Sequence, residues 1–146
     1  MRYLLDTNHC VYLMNGLEKK PTARSKEERQ VIEAVEKLGD DPLYMAPATL
    51  GELYYGAACS QRKKQNMAKI KLLAQAVFPL RLNQKVWQAF GETKAALRKK
   101  GKSLSDFDLL IACVAKINNC VLVTNDKDFE VLPRSFRQLN WAGKKI

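Results

Sequence analysis

Tyr3-Leu4-Leu5-Asp6-Thr7-Asn8-His9-Cys10-Val11-Tyr12-Leu13-Met14 carries the reading of the fold. Tyr3 to Leu5 has the length and character of a short buried strand, and Asp6 ends it. Cys10, Val11, Leu13 and Met14 then recur at helical spacing, so a short helix follows and Gly16 is expected to end it. The same alternation continues outward. Leu17 to Lys37 is a basic linker with Pro21 and then an amphipathic helix marked by Val31, Ile32, Val35 and Leu38. After an Asp40-Asp41-Pro42 turn, Leu43 to Ala46 is a second strand, and a helix starts near Pro47 with Leu50, Leu53, Tyr54 and Ala57 on one face. Gln61 to Gln75 reads as a helix with a lysine-rich outer face. Val77 to Leu82 is a strand moved towards the sheet edge by Pro79. Gln84 to Lys99 is a helix stopped by Gly101, and Ser105 to Ile117 is apolar nearly all round and therefore buried. Val121 to Thr124 is a β-branched strand, and a last strand is expected near Phe136 to Leu139. Strands alternating with helices define the α/β class with a mainly parallel sheet.

The length of 146 residues suits one domain over 1–146. Hydrophobic residues make up 47% and charged residues 27%, a globular balance that excludes a disordered chain. No stretch approaches the roughly 18 apolar residues of a membrane span. The aspartate so close behind Tyr3-Leu4-Leu5 does not fit a secretory leader, so a cytoplasmic protein is expected. Cys10, Cys59, Cys113 and Cys120 show no paired spacing and read as reduced thiols, mostly buried. The net charge of +10 favours a polyanionic partner such as a nucleic-acid backbone.

Acidic residues stand at points where an α/β fold gathers its ligands. Asp6 and Asp126 follow strands, and the carboxyl ends of parallel strands are the usual binding edge. Glu52 lies in the helix after the second strand, and Asp106 and Asp108 open the buried helix. Asp128 follows Asp126 closely. Carboxylates brought together repel one another and are relieved by a hard divalent cation, Mg²⁺ or Mn²⁺ rather than zinc. Each acid also has a plainer role: Asp6 as a helix cap, Glu52 as a solvated helix residue, Asp108 within a capping box begun by Ser105, Asp126 and Asp128 as turn residues. The single histidine, His9, excludes a two-histidine ribonuclease and reads as a local hydrogen-bonding residue. Neither a phosphate-binding G-x-x-x-x-G-K-[ST] loop nor G-x-G-x-x-G occurs.

In order along the chain, Leu4-Leu5-Asp6-Thr7-Asn8, Glu52-Leu53-Tyr54-Tyr55-Gly56, Asp108-Leu109-Leu110-Ile111-Ala112 and Thr124-Asn125-Asp126-Lys127-Asp128-Phe129 resemble the four motifs of PIN-domain ribonucleases. Ala96-Leu97-Arg98 with Gly101 resembles the VapC-type toxins of that family. The resemblance runs from about Met1 to Pro133. It implies a three-layer α/β/α sandwich around a short, mainly parallel sheet, and an endoribonuclease dependent on Mg²⁺, or Mn²⁺. It implies Asp6, Glu52 and Asp108 as catalytic, metal-binding acids, with Asp126 the first choice for a fourth and Asp128 the second. Thr7 and Thr124 match hydroxyl positions beside the metal, and Asp106 is left as a supporting residue behind it. It further implies an RNA substrate, structured RNA such as tRNA included, a VapB-like antitoxin and a homodimer. The segment Leu17 to Asp41 is longer than the usual link between the first two motifs.

Lys94, Arg98, Lys99, Lys100 and Lys102, close before the third motif, are candidates for the RNA backbone, as is the basic run from Arg62 to Lys71; a solvated helix face is the alternative for both. Two other functions fit parts of the pattern. A catalytically inactive RNA-binding or scaffold protein on a PIN fold would lack motif acids, and all four are present. A phosphatase-like hydrolase using Asp6 as nucleophile usually has a second aspartate where Asn8 stands.

Overall fold

The computed structural model describes residues 1–143. Five strands form one parallel sheet: β1 (Tyr3–Leu5), β2 (Leu43–Met45), β3 (Val77–Pro79), β4 (Val121–Val123) and β5 (Gln138–Leu139), in the order β3-β2-β1-β4-β5. Six α-helices connect and cover it: α1 (Thr7–Glu18), α2 (Lys26–Leu38), α3 (Pro47–Ala58), α4 (Lys63–Ala76), α5 (Gln84–Lys99) and α6 (Asp106–Ile117). The result is the three-layer α/β/α sandwich. Leu4 pairs with Leu122, and Leu5 with Val123. The two-residue period of a strand sends these neighbours to opposite faces. Leu4 and Leu122 join Val86 and Leu97 of α5 and the apolar length of α6 in one core. Leu5, Val123 and Met45 join Leu13, Val31, Leu53, Ile70 and Leu73 from α1 to α4 in the other. A sheet covered on both faces is why its strands read as unbroken apolar runs.

Sequence and structure differ at several element ends. β3 stops at Pro79, and the following Leu80 N donates to Met45 O at 2.9 Å, so the ring without an N–H sits on the edge strand as expected. Phe136 is buried in the core before β5 rather than paired within it. Val31 and Ile32 are core residues of α2, packed with α1.

Gly16 does not end α1; the helix continues to Glu18. A Cβ on Gly16 would lie 2.7 Å from Ile32 Cδ1 and 3.1 Å from Glu28 Cβ. The glycine is therefore a packing residue that lets α2 lie close against the last turn of α1. Glu28 closes a capping box with Ser25 at the start of α2 and is also reached by Lys19 Nζ at 3.0 Å, so the long first crossover is tied down at its hinge. The backbone N–H of Ser25, with Lys19 beside it, holds the buried Glu28 carboxyl below the ordinary glutamate range. Gly16→Val is expected to destabilise the protein by about 1–3 kcal/mol through overpacking, read as a lowered urea midpoint at unchanged slope. A midpoint equal to that of the unmodified protein would show that α1 and α2 can separate without cost.

Candidate active site

Every candidate acid except Asp106 lies at or beside the edge formed by the carboxyl ends of β1 and β4. Asp6 follows β1, and its N–H donates to Val123 O at 3.0 Å, which locks the two strand ends together. Asp6 is almost fully buried. It caps α1: Oδ1 accepts from His9 N at 2.8 Å and meets His9 Nδ1 at 2.9 Å. The next residue, Thr7, reaches across to α3. Its single hydroxyl proton goes to Glu52 Oε1 at 2.7 Å, and Thr49 Oγ1 lies 3.3 Å away as the remaining donor to Thr7. Thr49 is fully buried. Its position three residues before Glu52, on the same helical face, is the signal by which the sequence could have revealed it.

α6 supplies Asp108 in its first turn. Ser105 is the cap and its Oγ accepts from Asp108 N at 3.2 Å. Oxygen atoms of Asp108, Asp126 and Asp128 lie within 4.8 Å of one another. Burial raises the Asp108 carboxyl above the ordinary aspartate range; Ser105 opposes this, while the charges of Asp126, Glu52 and Asp128 reinforce it. Asp108 thus faces acids from both α3 and the loop after β4. That loop is shaped by short bonds of its own. Thr124 Oγ1 accepts from Asp126 N at 3.0 Å, and Asp126 Oδ1 accepts from Asp128 N at 2.9 Å. Phe129 plugs the 3₁₀ turn Lys127–Val131 into the core beneath them. Asp126, the first choice for a fourth acid, and Asp128, the second, both stand beside Asp108.

Asp106 sits outside this group. It is exposed and its Oδ1 accepts from Lys94 Nζ at 2.9 Å. Helical geometry turns Asp106 and Asp108 about 200° apart, so only one can face the strand ends. Arg98 and Lys102 line a cleft with Leu97, Leu104 and Leu109, the last being the residue after Asp108. Lys99 and Lys100 are exposed at the end of α5. Cys10, Cys113 and Cys120 are buried and Cys59 is exposed. Burial raises the first three thiols, Cys113 to about 11. Among the described residues, no helix is long and apolar enough to cross a membrane.

A cluster of carboxylates at the ends of parallel strands, on this topology, defines a PIN fold, and the PIN-domain family model matches residues 3–135. The chain belongs to the PIN-domain family, in its VapC branch. It is 32% identical over 142 residues to Ribonuclease VapC2 of Rickettsia felis, covering 97% of this chain and 98% of that one. Ribonuclease VapC1 of Haemophilus influenzae strain R2866 is 35% identical, covering 89% and 91%. A crystal structure of VapBC2 from Rickettsia felis, bound to a DNA fragment from their promoter, superposes with a TM-score of 0.81 at 30% identity, covering 97% and 99%. A more distant relative, the tRNA(fMet)-specific endonuclease VapC of Shigella flexneri, is 29% identical, covering 89% and 91%.

Proposed function

We propose that the protein is a metal-dependent endoribonuclease, the toxin of a two-component toxin–antitoxin pair acting in the cytoplasm, and that all of residues 1–146 serve this one nuclease unit. The single observation that carries the proposal is the oxygen-only cluster around Asp108. Three carboxylates converge there, with the charge of Glu52 added and Asp108 resisting ionisation. The donor set has no thiolate or imidazole, so it fits a hard cation such as Mg²⁺ or Mn²⁺. Asp6, Glu52, Asp108 and Asp126 would hold it, with Asp128 beside Asp126. When bound, such an ion supplies positive charge for the phosphate oxygens and makes water more acidic.

The remaining work falls to the protein. Thr7 holds Glu52 in place through its 2.7 Å bond, and Thr124 holds the backbone of Asp126. Arg98, Lys99, Lys100 and Lys102 contact RNA phosphates beside the acids, which sets the strand across the site without reading its bases. Water attacks phosphorus in line as the P–O3′ bond breaks, and a proton passes to the leaving 3′ oxygen, which gives a 5′-phosphate and a 3′-hydroxyl. The name of the Shigella relative supports tRNA as the substrate class. The VapBC2 structure from Rickettsia felis supports a VapB-like antitoxin partner, and we place the active form as a homodimer.

The test is release of 5′-phosphate ends from tRNA by the purified protein, dependent on added Mg²⁺ or Mn²⁺ and stopped by chelation. Equal cleavage with and without chelator would remove the metal from the reading. A cation binds ionised carboxylates, and Asp108 keeps its proton to a higher pH than an ordinary aspartate. Mn²⁺ affinity, followed by calorimetry, is therefore expected to weaken as pH falls from neutral towards the ordinary aspartate range, with the loss setting in above that range. A flat affinity over that fall in pH would argue against a carboxylate site.

A further inference from the structure

His9 is the only histidine in the chain and is fully buried in the first turn of α1. Its surroundings explain the ring only in part. Tyr12, one turn on, meets it edge-on with centroids 5.8 Å apart. The Tyr12 hydroxyl accepts from Asn125 Nδ2 at 3.2 Å, and Asn125 precedes Asp126. Nε2 of His9 is buried without a protein hydrogen-bond partner among the described residues. A buried polar atom without a partner is unfavourable. Leucine or phenylalanine would occupy a buried position without that cost. What the imidazole alone contributes is Nδ1, 2.9 Å from Asp6 Oδ1. A carboxylate oxygen accepts hydrogen bonds, so the pair is a hydrogen bond in the tautomer that carries its proton on Nδ1.

We infer that His9 is a positioning residue for the cation site: its ring N–H and its backbone N–H together hold Asp6 Oδ1 and so fix the orientation of the carboxylate. The inference rests on the reading of Asp6 as one of the cation-holding acids. The two donors come from different directions on the same residue and reach the same oxygen, at 2.8 and 2.9 Å. A cap needs only the first. The second fixes the rotation of the carboxylate about its last bond, and hydrogen-bonded partners of this kind orient metal-ligating groups. Tyr12 and Asn125, both half-buried, continue from the ring to the loop of Asp126.

Because the ring signal is unique, isotope-labelled histidine reports on this site directly. Titrating the intact protein with Mg²⁺, the His9 ring resonances are expected to move and saturate together with the backbone amides at the start of α6. Movement of those amides with an unmoved ring would overturn the role of His9 while leaving the metal site standing; movement of neither would overturn both. In parallel, Mn²⁺ calorimetry is expected to show affinity lowered about 10–100-fold in His9→Leu and His9→Gln. His9→Asn, whose side-chain N–H₂ can stand near Nδ1, should recover most of it. Affinity equal to the unmodified protein in folded His9→Leu, or equal loss in His9→Asn and His9→Gln, would overturn the inference. If His9→Leu does not fold, the ring titration and the Asn–Gln pair decide it.

Discussion

Asp108→Asn is expected to lower the rate of RNA cleavage at least ~10²-fold and to leave the protein folded. The expectation follows from the central place of this residue: Asp108 is the acid that faces Glu52 from α3 and Asp126 and Asp128 from the β4 loop. The amide keeps the shape but removes the charge that a cation requires. Folding is spared because the capping bond to Ser105 Oγ comes from the backbone N–H of residue 108. Circular dichroism should be unchanged and Mn²⁺ binding weakened. Asp106→Asn, two residues earlier, serves as the contrast. It removes only an exposed pair with Lys94, worth about 0–1 kcal/mol, so its cleavage rate should stay within a few-fold of the unmodified protein. Equal losses in both variants would show that the negative charge of the helix start, and not the position of Asp108, governs the reaction.

Phe129→Ala is expected to be strongly destabilising, costing about 3–5 kcal/mol from a total of about 5–15 kcal/mol for a domain. Phe129 is 1% exposed and is among the largest fully buried side chains. It also follows Asp128 directly, and it anchors the turn whose first residues carry Asp126 and Asp128. Loss of the ring should therefore lower the urea midpoint and weaken Mn²⁺ binding together. Phe129→Leu keeps most of the apolar volume and should cost less than half as much. A Phe129→Ala protein with reduced stability but full metal affinity would mean that the loop holds its shape by the Thr124 and Asp126 bonds alone.

These two residues mark where sequence reading succeeds and where it stops. The motif around Asp108 was legible because its neighbours are apolar at every position that α6 buries, so the acid stands out at the helix start. That Asp106 is the one turned outward to Lys94 was not visible, since helical spacing shows only that the two acids point apart, and the packing of α5 on α6 decides which faces out. The loop of Asp126 was recognisable as a strand end followed by acids. Its use of Asp126 as backbone cap, and the nearness of Asp128 to Asp108, come from a turn whose shape depends on where Phe129 is buried. Gly16 was misread for a related reason: glycine marks both helix ends and close helix contacts, and the residues that distinguish them, Glu28 and Ile32, lie on another helix.

By itself the sequence determined the α/β class and the order of strands and helices, and it marked the acids at strand and helix ends, because apolar period and strand-end polarity are local properties of the chain. Only the tertiary structure decided which oxygens meet, that His9 holds Asp6 and that Thr7 holds Glu52. Hydrogen bonds and charge repulsion act over a few ångströms. Except for the His9–Asp6 pair within one helical turn, the partners are brought within that range by the packing of separate helices on the sheet.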